Sequence, residues 1–284
     1  MSNIVLGADI GGSHITASLI DVEERKIIEG TMVRKEVDGA SSSENIVKEW
    51  STVIRESFNK AELKPGKIGL AMPGPVDYEE GICYIKGQNK FEELYGANLK
   101  ALLSQSLELE SNDIRMINDA AGFLFGESFI GAARGYDKVI GLTLGTGLGS
   151  AYYCNGKTVD ADLWHSSFKD GKAEDYLNAS RLLNTARTVC GISFGDVRQL
   201  ALYKDCATPV FELFGKDLGE FLVSCFKNFP AELIVLGGNI SKAHKLFMPS
   251  LLSTLRSGNI DVPVKIAEIG ERAALVGAAA LWEN

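Results

Sequence analysis

Two carboxylates and two glycine-rich turns are the residues of this chain best suited to chemistry. Asp9 follows the apolar run Ile4-Val5-Leu6-Gly7-Ala8 and stands just before Gly11-Gly12-Ser13-His14. A carboxylate there can hold Mg²⁺ through water, while the amides of Gly11 and Gly12, with no Cβ in the way, converge on an anion such as phosphate. The design recurs: Val139-Ile140-Gly141-Leu142-Thr143-Leu144 leads into Gly145-Thr146-Gly147 and a second apolar run. One such turn alone is an ordinary tight hairpin, whereas two suggest opposed jaws on the phosphates of a nucleotide. Asp119 ends another strand-like run beside Asn118, where ligands collect in open α/β sheets. A carboxylate so placed can take the proton of an acceptor hydroxyl during phosphoryl transfer. The plainer alternative, compatible with the first, is that Asp119 caps the helix beginning at Ala120. Asp162, His165 and Glu174 border a polar loop at 166–172 and could bond vicinal sugar hydroxyls. By itself that cluster reads more simply as a solvated surface. Other nucleotide devices fail: Ala151 stands where a Walker loop ending at Gly156-Lys157-Thr158 needs glycine, and a G-x-G-x-x-G begun at Gly145 ends on Ser150.

The elements that must position these groups alternate in period. Strands are expected at 3–10, 14–21 and 26–34, then a helix at 43–61, opened by Ser41-Ser42-Ser43 and striped by Ile46, Trp50, Val53, Ile54 and Phe58. A buried strand at 67–72 breaks at Pro73-Gly74-Pro75, followed by a helix at 99–107, a strand at 114–117 and a helix at 120–129. The opening pattern returns with strands at 139–144, 148–154 and 157–161. A helix at 213–226 precedes the strand that ends in Gly237-Gly238, and an Ala-rich helix at 271–282 is suited to close helix contact. The economical reading is a two-lobed α/β protein with a hinge near 115–120: a first lobe of 1–117 completed by 271–284, and a second of 118–270.

Composition excludes several classes. Over 284 residues the hydrophobic share is 45% and the charged share 23%, which describes a folded globular chain. A net charge of −8 argues against a phosphate-backbone surface, so no nucleic acid partner is expected. No apolar run reaches the ~20 residues a bilayer requires, and no leader is apparent, so no membrane association and a cytoplasmic location are expected. Cys83, Cys154, Cys190, Cys206 and Cys225 form no C-x-x-C pair and read as reduced, buried thiols.

Taken in order, the turn from Asp9 to Ser13, Ala71-Met72-Pro73-Gly74-Pro75-Val76-Asp77, Ile117-Asn118-Asp119-Ala120-Ala121, the stretch 143–149 and Val235-Leu236-Gly237-Gly238-Asn239 resemble the ROK family of sugar kinases and sugar-responsive repressors. The resemblance implies an actin-like, ribonuclease H-like fold of two α/β lobes, each a mixed sheet flanked by helices, with the active site in the cleft between lobes. It further implies ATP and Mg²⁺ as cofactors, a hexose substrate phosphorylated most often at the 6-OH, and a homodimer. Asp119 becomes the general base, while Asn118, Gly74, Asn89, Asp162, His165 and Glu174 approach the sugar. Gly11, Gly12, Ser13 and His14 meet phosphates from one lobe and Gly145, Thr146 and Gly147 from the other, with Gly237 and Gly238 along the adenosine. Three departures stand out. Asp162-Leu163-Trp164-His165 replaces a Glu-x-Gly-His motif, the family's cysteine-rich zinc loop is missing so that no structural zinc is expected, and His14 stands where lysine is common. These departures motivate the alternative of a catalytically silent sugar-binding regulator on the same scaffold.

Overall fold

The computed structural model describes residues 3–88 and 90–283. The chain divides into two units, Met1–Arg134 with Glu271–Asn284, and Gly135–Gly270. The first runs β1 (Ile4–Ile10), β2 (His14–Asp21), β3 (Lys26–Ile27), β4 (Val33–Glu36), α1 (Ser43–Asn59), β5 (Ile68–Met72), β6 (Val76–Asp77), β7 (Ile82–Cys83), α2 (Leu99–Leu107), β8 (Ile114–Asn118) and α3 (Asp119–Ile130). The second runs β9 (Lys138–Leu144), β10 (Leu148–Cys154), β11 (Lys157–Asp160), β12 (Ser167–Phe168), β13 (Gly171–Lys172), α4 (Ala173–Tyr176), α5 (Ala179–Cys190), α6 (Val197–Leu202), α7 (Lys204–Phe226), β14 (Leu233–Gly237), α8 (His244–Ser257) and β15 (Val264–Ile266). The chain then returns to the first unit as α9 (Ala273–Ala280).

Each unit is built on one mixed sheet, and the two sheets share an order. In the first, β3-β2-β1-β5-β8 lie side by side, with β4 also paired to β2; in the second the order is β11-β10-β9-β14-β15. The leading strand of each unit pairs antiparallel with its hairpin partner and parallel with a later strand. Parallel strands need cover on both faces, and the unbroken apolar run of β5 is buried along its whole length accordingly. Helix α1 supplies one cover, turning Ile46, Trp50, Val53, Ile54 and Phe58 inward from a start capped by the Ser42 side chain.

The other cover is α9. Its Gly277 faces the Gly122 carbonyl of α3, and Gly126 of α3 faces the Ala273 carbonyl, each so closely that a Cβ would overlap the oxygen. The Ala-rich tail is therefore a backbone-to-backbone clamp on α3. This is why α3, expected with the second lobe, belongs to the first unit, and why the expected hinge at 115–120 is instead the continuous passage from β8 into α3.

Three further expectations change. The single strand at 26–34 is split, because Gly30 turns at φ +80° and Thr31 Oγ1 donates to the Ile28 carbonyl at 2.7 Å while accepting from the Leu19 amide. The helix expected at 213–226 begins already at Lys204, with Pro209 in its second turn. Cys190 and Cys206, expected as free thiols, form a disulfide that joins the end of α5 to the first turn of α7, their Cα atoms 5.9 Å apart. Cys83 and Cys225 are buried thiols and Cys154 is half-buried. Among the described residues no helix is long and apolar enough to cross a membrane.

Candidate active site

In the first unit the parallel pairings bring three strand ends together. Asp9 is level with Ala71, Ala71 with Ile117, and Met72 with Asn118, so the residues following β1, β5 and β8 share one edge of the sheet. That edge carries Asp9 and the turn 11–14, the loop around Gly74, and the Asn118-Asp119 pair. The turn is tight: the Gly11 amide donates to the His14 carbonyl at 2.8 Å. The Ser13 carbonyl accepts from the Val37 amide at 2.9 Å, which holds the turn against the following loop.

Asn118, expected at the sugar, is the N-cap of α3: its Oδ1 accepts from the amides of Ala120 and Ala121 at 2.8 and 3.1 Å. Its Nδ2 is turned toward the Tyr78 hydroxyl at 3.4 Å, and that hydroxyl donates to the Met72 carbonyl at 3.0 Å. With capping in the hands of Asn118, Asp119 uses one oxygen on the Ala120 amide at 2.9 Å and keeps part of its surface open. Gln88 Nε2 donates to the Gly74 carbonyl at 3.3 Å. Asn89 lies outside the described residues.

The electrostatics mark the two acids. Desolvation pushes Asp9 up to about 7, the neighbouring Asp119 charge pushes the same way, Arg34 opposes, and Glu271 adds to the rise. Desolvation also raises Asp119, against the Ala120 amide and the positive charge of Lys90. Two crowded carboxylates with excess negative charge are a hard-oxygen donor set for Mg²⁺, which takes one or two carboxylates and completes its shell with water and phosphate. These residues fit that ion. His14 is held below its ordinary value by burial and by Arg34, against the charge of Glu271, and this net shift disfavours its charged form. Sequence reasoning missed Lys90, Tyr78 and Arg34 here, since nothing in their local sequence signals the site.

In the second unit the hairpin Gly145-Thr146-Gly147 closes with the Gly145 amide donating to the Gly147 carbonyl at 3.1 Å. Glu174 braces it: its Oε2 accepts from the Leu148 amide at 2.9 Å and lies 2.5 Å from where a Cβ on Gly147 would be. The Ala179 amide adds a bond to the Gly145 carbonyl at 2.9 Å. Gly237 is level with Thr143, and Gly238 turns at φ +79° against the Leu144 backbone, where no side chain fits. Gly237 and Gly238 therefore follow the same sheet edge as the hairpin. Asp162 and His165 are both about half exposed, with Nδ1 3.4 Å from Oδ1, and Trp164 meets the imidazole edge-on at 5.1 Å. Where the resemblance would put a zinc loop, β12 and β13 form a small hairpin pinned by Phe168, which packs on Tyr176 and Phe221. Among the described residues no group of three His, Cys, Asp or Glu side chains gathers as a metal cage.

Known proteins resemble this chain in sequence and in fold. The chain is 26% identical over 316 aligned residues to an N-acetyl-D-glucosamine kinase of Haemophilus influenzae, covering 97% of this chain and 98% of that protein. A glucokinase of Thermotoga maritima is 28% identical over 152 residues, which span 54% of this chain and 45% of the glucokinase. Among solved structures, a ROK hexokinase from Thermus thermophilus superposes with a TM-score of 0.83 at 22% identity, over 98% of this chain and 97% of that one. A ROK glucokinase from Streptomyces griseus, solved with glucose and AMPPNP, superposes at 0.77 and 22% identity over 98% of both chains. The model of the ROK family matches residues 5–161 and 191–284, all but the segment 162–190 of the second unit and the first four residues, and the chain belongs to that family.

Proposed function

We propose that this chain is an ATP-dependent sugar kinase that transfers the γ-phosphoryl group to a hydroxyl of a hexose or N-acetylhexosamine, with Asp119 as general base. The observation that carries this reading is the division of labour at the start of α3: Asn118 caps the helix, leaving Asp119 partly open at the sheet edge that also bears Asp9 and the glycine turn. In the reaction the sugar oxygen attacks the γ-phosphorus while Asp119 takes the hydroxyl proton. A new O–P bond forms as the bond to the β–γ bridging oxygen breaks, and ADP leaves with that electron pair. Asp9 would hold Mg²⁺, whose contribution when bound is to neutralise phosphate charge. The Gly12 amide, and those of Thr146 and Gly147, are suited to phosphate oxygens, the Gly11 and Gly145 amides being spent on closing their own turns, and Gly74, Gln88 and Tyr78 are suited to the sugar side.

The test is a coupled ADP-release assay across glucose, mannose, fructose, N-acetylglucosamine and N-acetylmannosamine, with Asp119→Asn beside the wild type. The variant is expected to turn over about 10²–10⁴-fold more slowly, with a melting temperature unchanged or higher because Asn118 still caps α3. Full activity in the variant removes Asp119 from the mechanism. Sugar-dependent thermal stabilisation with no turnover by the wild type would favour the silent-binder reading instead.

A further inference from the structure

The phosphate turn has no lysine or arginine of its own, and burial and Arg34 push the His14 imidazole away from its charged form. A cation reaches it from elsewhere. The side chain of Lys90 lies across Gly12: a Cβ built there would be 2.9 Å from Lys90 Cδ and 3.8 Å from Nζ. The stem also lies against Gly39, whose Cβ position is 3.4 Å from Lys90 Cβ.

Its placement is held by the next residue. Phe91 is fully buried, sits at φ +58°, donates its amide to the Gly39 carbonyl at 2.6 Å and meets Trp50 edge-on at 5.5 Å. Lys90 is thus fixed at its root and free at its tip. Among the described residues it makes no ion pair, although its charge is felt at Asp119. An ammonium with no ion-pair partner among the described residues, reaching across Gly12 and felt at the Asp119 carboxyl, is placed to meet a phosphoryl group passing from that turn to an acceptor hydroxyl.

We propose that Lys90 is a catalytic residue of this chain, its ammonium binding the γ-phosphoryl oxygens of ATP and stabilising their charge as the group moves to the acceptor. The proposal rests on the kinase reading above. It gives to a lysine that follows the Gly74 loop a role for which His14 is poorly suited. Such a donor acts where charge is redistributed, so its removal should reach turnover more than sugar affinity.

The experiment compares wild type with Lys90→Met and Lys90→Arg in the full chain. It measures steady-state kinetics with the best hexose, and calorimetric binding of ADP and of a non-hydrolysable ATP analogue in the presence of Mg²⁺. Lys90→Met is expected to lose about 10²-fold in kcat, to keep its sugar KM within about two-fold, and to lose about ten-fold in affinity for the analogue while binding ADP as before. Lys90→Arg, which keeps the charge, should recover much of both losses. Wild-type kcat in Lys90→Met overturns the proposal, as does an equal loss for ADP and analogue or a loss confined to sugar KM. If the wild type phosphorylates none of the sugars, the kinase reading fails; the contrast between ADP and the analogue still decides whether Lys90 recognises a terminal phosphate.

Discussion

At the scale of single residues, the burial of Asp9 sets a pH dependence of stability. Its carboxyl is pushed from 3.8 to about 7 in the folded chain, mainly by desolvation. Between those values the unfolded chain has released the proton and the folded chain has not, so the folded state binds more protons and stability falls as pH rises through that window. The full shift corresponds to about 4 kcal/mol, and roughly half of that once the partial solvent exposure of Asp9 is allowed for. In EDTA, the melting temperature is expected to decline between about pH 4 and pH 7 through this group, and Asp9→Asn to flatten the decline and melt higher at pH 8. A wild-type profile that rises across the same range, or one unchanged in Asp9→Asn, would remove the burial cost assigned to this acid. Asp9 and Asp119 were legible in the sequence because their cues are local: an acid at a strand end, beside a glycine turn or a helix start. Lys90 was not, because its neighbour Gly12 is remote in sequence and the contact depends on the left-handed turn at Phe91.

At the scale of elements, the position of Asp119 depends on how α3 is seated. Helix α9 lies so close that Gly126 and Gly277 are steric requirements, met by the Ala273 and Gly122 carbonyls respectively. Gly126→Val must push α3 and α9 apart, and overpacking of this kind costs about 1–3 kcal/mol. The urea midpoint should drop accordingly. Turnover, assayed well below that midpoint, should fall as well, because α3 carries the acid at its first residue. A variant with wild-type midpoint and turnover would show that the clamp does not set the site. The helix expected at 99–107 has the bounds of α2, whose Asn98 cap lies beside it in sequence. The split at Gly30 and the Cys190–Cys206 bond were illegible for opposite reasons. One hangs on the Thr31 hydroxyl reaching Leu19, and the other on α5 and α7 lying side by side.

At the scale of the whole molecule, the repeated strand order of the two sheets was visible as a repeated sequence design, because each leading strand and its hairpin occupy one continuous stretch. The division into units was less visible at α3, which the sequence reading places with the second lobe and whose close seat on α9 joins residues far apart in the chain. A chain ending at Gly270 should therefore keep slow amide exchange in β9 and β14, while β1, β5 and α3 lose much of theirs. Equal protection in both sets would mean that α9 is dispensable to the first unit. During synthesis the same discontinuity orders events in time. The second unit is contiguous and can mature as it leaves the ribosome, but the helix that starts with Asp119 must wait for a partner made after everything between them. A nascent polypeptide can thus complete its later-made half while the acid at the head of α3 is still unmoored.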